Sequence, residues 1–290
     1  IVNTIAASKE LYEMLKERGT ENLLYLSTSI PPRVRLARIY CIKRAQKPFI
    51  IISTQLVEAG VDIDVDIVYR DLAPLDSIVQ SCGRCNRNEG RDQGVVKVLS
   101  LINEHHHNKP FARYVYDDLD LRMTQQVLQT QDVFTENQFY TLAQKYFAAL
   151  GDIRLGKSQD DSAFILEAIA KLQYDTAFVR THQNPHAFRL IQDEDTVPVY
   201  VMLTQKARQL YEQYCTLLAD RSSYSDPFAF KHRLASVQRR MADYIVNIRL
   251  YNTERLPQNQ AFFLIADERQ DFQYNPETGV HTAPSGYIAL

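Results

Sequence analysis

The chain has 290 residues, with 33 Lys and Arg against 35 Asp and Glu and a formal net charge of −2. This balance excludes a uniformly basic protein, and 45% apolar residues can bury a sizeable core at a length typical of two domains rather than one. The sequence has no run near the roughly 20 apolar residues of a membrane span. Four Cys are too few for a disulfide framework, so we expect a cytoplasmic protein without a membrane partner.

Residues 1–108 alternate short apolar runs with amphipathic stretches of helix length. The predicted strands are 22–26, 49–53, 65–69 and 95–102, and the predicted helices are 8–18 and 31–46. Strands separated by helix-length segments pair in parallel, and such sheets bind ligands at the carboxyl ends of their strands. We therefore predict an α/β domain with a parallel sheet and flanking helices over residues 1–108.

Residues 109–185 are predicted to form a helical linker. One helical stripe includes Leu142, Tyr146, Phe147 and Leu150, and we expect that helix to end at Gly151. A second stripe covers residues 164–172.

Residues 186–290 are predicted to form a small mixed α/β accessory domain. Residues 188–191 and 197–203 resemble a hairpin, and Pro198 makes the second strand a candidate edge strand. Helices are expected at 205–219 and at about 227–244, the latter with Asp226 as its N-cap. The end, 273–290, is rich in turn residues.

Residues 50–87 form a block that ends in the pattern Q-x-x-G-R-x-x-R, made by Gln80, Gly83, Arg84 and Arg87. On a helix these residues would share one face, with two guanidinium groups and a gap for close approach. Because a guanidinium stays charged and binds two phosphate oxygens at once, the pattern favours stabilisation of phosphoryl transfer. An ordinary solvated basic helix would have the same spacing.

The first part of the block has polar groups at a strand end. Ser53 and Thr54 follow an apolar run, where hydroxyls can meet phosphate, and Gly60 to Asp62 is expected to be a tight turn that offers a carboxylate.

Taken together, these motifs resemble those of superfamily 2 helicases. Residues 53–62 resemble motif V, residues 80–87 resemble motif VI, and residues 2–4 resemble motif IV. The segments STQLVEAGVDID and YRDLAPLDSIVQSCGRCNRN are similar to the CRISPR-associated helicase-nuclease of type I systems. One departure is Cys82, where that family usually has a small Ala.

The resemblance implies the second RecA-like domain of an ATP-driven motor that travels along single-stranded DNA. The matching positions that would serve catalysis are Arg84, Arg87 and Gln80, and those that would serve the nucleotide are Gly60, Asp62 and Gly83. The matching positions that would touch the DNA backbone are Thr54, Ser53, Asn3 and Thr4.

The resemblance also implies cofactors and partners. ATP and Mg²⁺ would be bound mainly by an upstream first RecA-like domain, which would follow a metal-dependent HD nuclease. Neither is expected within these 290 residues, so we expect the chain to be inactive alone. The implied partners are single-stranded DNA and the crRNA-guided CRISPR surveillance complex. Two alternatives fit the same motifs, another superfamily 2 DNA or RNA helicase and a non-catalytic helicase-like adaptor.

A basic segment supports a nucleic-acid partner. Residues 22–57 contain no Asp or Glu, yet six cations lie there: Arg33, Arg35, Arg38, Lys43, Arg44 and Lys47. We predict that Ser27 and Arg33 contact the DNA backbone, although a solvated basic helix would look the same.

Two further patterns imitate ligand sites. Residues 151–158 fit G-x-x-x-x-G-K-S, but a predicted helix precedes them where a phosphate loop needs a strand, and Ser158 with Asp161 fits a helix capping box. Cys82 and Cys85 form a single C-x-x-C pair, and a structural zinc site needs four ligands, so we predict no metal site.

Overall fold

A computed structural model of the chain describes residues 1–88, 93–154, 159–179, 187–188, 196–223, 226–249, 262–265 and 272–282. The chain divides into two compact units, one with Ile1–Leu72, Gln80–Val115 and Asp195–Leu290, the other with Ala73–Val79 and Tyr116–Glu194. The three-domain division at residues 108 and 185 stays a prediction.

Helices and strands both contribute, so the chain has a mixed α and β structure, and one continuous parallel sheet over residues 1–108 stays a prediction. The helices are α1 (Ile5–Glu17), α2 (Pro32–Lys43), α3 (Leu75–Cys82), α4 (Asp118–Leu128), α5 (Phe139–Arg154), α6 (Gln159–Ala170), α7 (Tyr174–Phe178), α8 (Gln205–Ala219) and α9 (Pro227–Met241). The strands are β1 (Leu23–Leu26), β2 (Ile50–Ser53), β3 (Ile67–Asp71), β4 (Val95–Leu99), β5 (Ile102–Asn103), β6 (Lys109–Pro110), β7 (Thr196–Val201), β8 (Ile245–Arg249), β9 (Phe263–Ile265), β10 (Phe272–Asn275) and β11 (Gly279–Thr282). No helix in these described ranges is long and apolar enough to cross a membrane.

The N-terminal strands form two parallel pairs. Strand β1 pairs with β2, and β3 pairs with β4. The registers run from Leu23↔Ile50 to Leu26↔Ser53 and from Ile67↔Val95 to Asp71↔Leu99. The parallel direction agrees with the sequence prediction, but the pairs are assigned as separate small sheets.

The first two residues contact both parallel pairs through their main chain. The Val2 N–H donates to the Ser53 carbonyl at the end of β2 (2.8 Å). The Asp71 N–H at the end of β3 donates to the Ile1 carbonyl (2.9 Å). The ends of β2 and β3 are therefore linked through residues 1 and 2.

Apolar residues cover both faces of the β1–β2 pair. Consecutive residues of a strand point to opposite faces, so Tyr25 and Leu26 belong to different clusters. Tyr25 packs with Tyr12 of α1, and Leu26 packs with Ile42 of α2. Both residues have no exposed surface, as expected for a parallel sheet between helices.

The second unit is helical in its described part. Its core contains Leu142, Tyr146 and Leu150 of α5, as the predicted stripe required. Phe147 was expected in that stripe, but 57% of it is exposed. The predicted helix end at Gly151 is also wrong, because α5 continues to Arg154. Residues 155–158, which include Ser158 of the expected capping box, lie outside the described residues.

The accessory part of the first unit contains a three-stranded sheet in the order β8-β7-β9. The predicted hairpin partner of β7, residues 188–191, lies outside the described ranges from residue 189 onward, and β7 pairs with β8 and β9. The edge position expected from Pro198 is wrong, because β7 is central. Strand β9 pairs only with Val199–Val201, so Pro198 lies beyond that pairing and its missing N–H interrupts nothing there.

Helices α8 and α9 cover one face of this sheet. Their core with the sheet contains Tyr200, Leu210 and Met241. Helix α8 has the predicted bounds, and Asp226 caps α9 by accepting from the Phe228 N–H (2.8 Å). The opposite face packs against Val280 of the antiparallel β10–β11 hairpin.

Candidate nucleotide and nucleic-acid site

The arginine motif is a turn and not a helix face. Helix α3 ends at Cys82, so of the four motif residues only Gln80 is helical, and the predicted shared face is wrong. After Cys82 the main chain pairs with Val65, whose N–H donates to the Arg84 carbonyl (3.1 Å) and whose carbonyl accepts from the Asn86 N–H (3.0 Å). This long-range pairing replaces the next helical turn, and Asn86 adopts a left-handed φ of 52°.

The turn places Arg84 against the loop that follows β2. The Arg84 Nη2 donates to the Glu58 carbonyl at 2.6 Å. Burial lowers the pKa of the Arg84 guanidinium, nearby Arg87 lowers it further, and Asp62 opposes both effects. The Arg84 Nε is buried without a hydrogen-bond partner among the described residues.

Arg87 contacts the same loop nearer the surface. Its Nη1 lies 3.2 Å from Asp62 Oδ1, and its main-chain N–H donates to Asp64 Oδ1 (2.9 Å). Asp62 also pairs with Lys43, and the pKa of the Asp62 carboxyl is lowered first by that hydrogen bond and then by the charges of Lys43 and Arg87. The Arg87 side chain is 41% exposed, so its guanidinium is accessible from solvent.

The remaining nucleotide candidates lie at the surface. Gln80, Gly83, Gly60 and Asp62 are all exposed. Gly60 has a φ of 73°, which glycine adopts without strain, in agreement with the predicted turn. The structure thus brings the 58–64 loop and the 83–87 turn together, with two guanidinium groups and an exposed carboxylate.

The predicted DNA contacts are mostly interior side chains. Asn3 is buried, and its amide donates to Asp71 Oδ2 (2.6 Å) and the Leu72 carbonyl (2.7 Å). Thr4 caps α1 by accepting from the Ala7 N–H (3.2 Å).

The serine and threonine candidates at the strand ends are also buried. Ser53 Oγ donates to the Leu26 carbonyl (2.8 Å), and Thr54 is 4% exposed. Ser27 has no exposed surface, and its hydroxyl lies 2.6 Å from that of Ser29. Arg33 is exposed on α2. The part these residues play in DNA binding stays a prediction.

The β10–β11 hairpin covers the loop that contains Ser27. The Ser29 Oγ donates to the Thr278 carbonyl (2.9 Å), and the Val280 N–H donates to the Ser29 carbonyl (2.8 Å). Glu277 forms an ion pair with Lys16 of α1. This covering was not predicted, because the sequence indicates only a turn-rich end.

Two further polar residues, Glu58 and Arg70, were missed in the sequence. They form a buried ion pair beside Asn3, with Arg70 Nη2 2.7 Å from a Glu58 carboxylate oxygen. Burial raises the pKa of neighbouring Asp71, although the N–H of Leu101 stabilises its charged form. Strand periodicity could have found Arg70, because it lies two residues after buried Val68 and therefore points to the same side.

Metal ligands do not cluster in the part of the chain that the structure describes. There, no group of three or more His, Cys, Asp or Glu side chains is arranged to hold a metal ion. Neither Cys82 nor Cys85 forms a disulfide with another described residue, and the Cys85 Sγ donates to the Asp66 carbonyl (3.2 Å).

One family model matches a segment that contains both the 58–64 loop and the 83–87 turn. Residues 1–90 match the family CRISPR-associated nuclease/helicase Cas3, C-terminal. A Haloferax volcanii protein named CRISPR-associated nuclease/helicase Cas3 is 49% identical over 78 residues, 24% of this chain and 8% of that protein. A Streptococcus thermophilus protein of the same name is 30% identical over 141 residues, 44% of this chain and 15% of that protein. The chain therefore spans a small share of these relatives.

Solved structures are similar over nearly the whole chain. The crystal structure of T. fusca Cas3-AMPPNP has a TM-score of 0.61 at 17% identity, covering 97% of this chain and 38% of that one. A chain in a CRISPR RNA-guided surveillance complex, pre-nicking, has a TM-score of 0.56 at 15% identity, covering 96% of this chain and 40% of that one. At these identities the likeness concerns the fold.

Proposed function

We propose that this chain supplies the second RecA-like half of an ATP-driven DNA motor. The match of residues 1–90 to the family CRISPR-associated nuclease/helicase Cas3, C-terminal, supports this proposal, together with the similarity to Cas3 proteins and structures. The motor would move along single-stranded DNA and unwind target DNA for the nuclease of the longer protein in type I CRISPR interference.

The observation that carries this proposal is the meeting of the two predicted motifs. The Arg84 guanidinium donates to the Glu58 carbonyl (2.6 Å), and Arg87 pairs with Asp62 (3.2 Å). Two permanently charged guanidinium groups held side by side can stabilise the negative charge of a transferring phosphoryl group.

A RecA-like arrangement of residues 1–108 is part of the proposal. Two parallel strand pairs support it, together with the main-chain hydrogen bonds of Ile1 and Val2 that link the ends of β2 and β3. In such a sheet the loops after the strands face the ligand, and the 58–64 loop follows β2.

The residues at this site fit the phosphates of ATP. Arg84 has a buried Nε donor without a partner among the described residues, and Arg87 is accessible from solvent. Bound ATP with Mg²⁺ would supply the phosphoryl group. Arg84 and Arg87 would hold its phosphate oxygens, and Gln80 would lie beside them at the end of α3. The phosphate loop and the principal Mg²⁺ ligands would belong to the first RecA-like domain of the longer protein.

Single-stranded DNA and a crRNA-guided surveillance complex are the proposed partners. Exposed Arg33 in an acid-free segment supports contact with a phosphate backbone. The similarity to a chain in a surveillance complex supports recruitment to such a complex, and we place the reaction in the cytoplasm.

The test uses the longer protein that contains this chain. Replacing Arg84 or Arg87 with Ala should lower DNA-stimulated ATP hydrolysis and unwinding by roughly 10³-fold or more. Arg87→Lys keeps the charge but loses the fork, so it should restore only a small part of the rate. Unchanged hydrolysis in both Ala variants would contradict the proposal.

Arg122→Ala is a matched control. Arg122 on α4 is also exposed and pairs with a carboxylate, Asp118, at 3.4 Å, but it lies outside both motifs. This variant should hydrolyse ATP at the normal rate. All variants should fold, and Arg87→Ala and Arg122→Ala, whose side chains are exposed, should keep the thermal unfolding midpoint of the parent protein.

Two alternative functions can be separated with the same protein. Stimulation of hydrolysis by single-stranded RNA in place of DNA would indicate another superfamily 2 helicase. Nucleic-acid binding without any hydrolysis by the longer protein would indicate a non-catalytic adaptor.

A further inference from the structure

A buried ion pair lies directly behind the arginine turn. Arg70 on β3 has no exposed surface, and Glu58 is 8% exposed. The Arg70 Nη2 lies 2.7 Å from Glu58 Oε1, and the Arg70 Nη1 donates to Asn3 Oδ1 (2.7 Å) and to the Asp71 carbonyl (2.8 Å). The guanidinium is therefore fixed from two sides.

Stability alone is a weak explanation for such a pair. Removing two charges from water costs free energy that their attraction often fails to offset, and apolar residues of similar volume are frequently as good. A pair that also fixes the position of a functional group has a second reason to exist.

Glu58 connects this pair to the proposed site. Its side chain binds Arg70, while its carbonyl accepts from the Arg84 Nη2 at 2.6 Å. The Ser81 hydroxyl, just before the turn, also lies 3.4 Å from Glu58 Oε1. One residue thus holds the interior arginine with its carboxylate and the site arginine with its main chain.

We propose that Glu58 and Arg70 are positioning residues for Arg84. The ion pair fixes the peptide of Glu58, and that peptide aims the Arg84 guanidinium at the transferring phosphoryl group. Asn3 holds Arg70 from the other side, so its amide supports the site from the interior. This inference rests on the proposed function, because it assigns Arg84 a part in ATP hydrolysis.

The experiment measures kcat and KM for DNA-stimulated ATP hydrolysis by the longer protein. Glu58→Gln keeps the volume of the side chain and removes its charge. We expect kcat to fall about tenfold and KM for ATP to change less than about twofold. The variant would misplace the Arg84 guanidinium in the transition state, whereas the binding of ATP in the ground state would not depend on Glu58.

A double-mutant cycle separates positioning from general structural damage. In an Arg84→Lys background, chosen to leave a measurable rate, Glu58→Gln should lower kcat by less than about twofold, since there is no arginine fork left to aim. An additional tenfold loss in that background would overturn the inference. So would an unchanged kcat in the Glu58→Gln single variant.

A second variant covers the case in which Glu58→Gln does not fold. Arg70→Lys keeps a buried cation but cannot reach Glu58 and Asn3 in the same fork geometry, so it should lower kcat with the same dependence on Arg84. A loss of kcat that is equal in both backgrounds would again overturn the inference. The matched control is Glu167→Gln, which removes an exposed carboxylate of α6 that is paired with Lys171 and should leave kcat unchanged.

The two proposals fail in different ways. Normal hydrolysis by Arg84→Ala would contradict the proposed function itself. Loss of hydrolysis in Arg84→Ala, together with additive effects of Glu58→Gln and Arg84→Lys, would contradict only the positioning role.

Discussion

Arg33 and Arg38 lie on the same helix, α2, but have different surroundings. Arg33 is exposed. Arg38 instead donates to three main-chain carbonyls, those of Tyr25 (2.5 Å), Glu277 (2.7 Å) and Pro276 (2.5 Å). In the sequence the two arginines belong to the same basic segment, whereas in the structure Arg33 is a surface cation and Arg38 fixes the hairpin.

This difference predicts opposite results for the two Ala variants. Arg33→Ala should stay as stable as the parent, and the slope of log K against log salt for single-stranded DNA should become shallower by about 0.7–1, the effect of one lost phosphate contact. Arg38→Ala should lower the unfolding midpoint. Fluorescence anisotropy in a salt series and thermal unfolding measure the two effects. An unchanged salt slope in Arg33→Ala would exclude Arg33 as a phosphate contact.

His281 makes the hairpin sensitive to acid. Burial, and secondly the charge of Lys9, lower the pKa of the His281 ring from 6.5 to about 4, and its Nε2 lies 2.7 Å from the Thr278 hydroxyl. The unfolded chain therefore binds more protons than the folded chain between pH 4 and 6.5. The contribution of neutral His281 to stability is complete above about pH 6.5 and is lost as the pH falls through this window.

We expect the free energy of unfolding to decrease by less than about 3 kcal/mol from this source, because the ring is partly exposed and its charge is screened. Thermal unfolding at pH 7 and pH 5 measures the decrease, and His281→Gln should show a smaller one. An equal decrease in both proteins would assign the acid sensitivity to other groups.

At the scale of elements, the β10–β11 turn packs closely against the loop after β1 at its glycine. Gly279 has a φ of 84°, and a Cβ added there would lie 2.2 Å from the Ser29 carbonyl oxygen. Gly19, at the end of α1, has a φ of 74° and open space around it. The two glycines share the backbone conformation but differ in their neighbours.

Gly279→Ala should therefore destabilise the chain more than Gly19→Ala. The left-handed conformation costs about 1–2 kcal/mol for either Ala, and overpacking adds about 1–3 kcal/mol at residue 279 alone. Chemical unfolding of the two variants tests the difference. Equal losses would show that the hairpin moves away from Ser29 at no cost.

Elements controlled by local signals were predicted well from the sequence. Helix α8 begins and ends at the predicted residues, because the Thr204 hydroxyl caps it locally by accepting from the Ala207 N–H (3.1 Å). The end of α3 was not predicted, because it depends on pairing of the turn with Val65, some twenty residues earlier in the chain. Central β7 was missed for the same reason, since both of its partners come from later in the chain.

In the candidate site, too, the features set by local spacing were predicted and those set by long-range contacts were not. The motif spacing identified Arg84 and Arg87, which the structure places beside the predicted loop. The burial of Asn3, Ser27 and Ser53 depends on long-range contacts that spacing does not encode.

At the scale of the whole molecule, the net charge of −2 conceals an uneven distribution. Residues 22–57 and 227–242 contain no Asp or Glu, so the acidic residues lie in the remaining segments. Because the Debye length is about 8 Å at physiological salt, a partner responds to local charge more than to the total.

We expect the 290-residue chain alone to bind single-stranded DNA without steady ATP turnover. The chain spans 38% of the T. fusca structure, and under the proposed function the phosphate loop would belong to the first RecA-like domain of the longer protein. A coupled ATPase assay with saturating single-stranded DNA measures turnover, with the longer protein as the positive control. Steady hydrolysis by the chain alone would mean that it contains a complete nucleotide site.

The β10–β11 hairpin can cover the loop after β1 only late in synthesis. Ser29 and Thr278 are 249 residues apart, so the loop after β1 leaves the ribosome long before its cover exists. At about 5–20 residues per second, the interval is roughly 10–50 s. During that time the serines of the loop after β1 are open to chaperones and to neighbouring nascent chains. The last step in building this unit is therefore timed by translation.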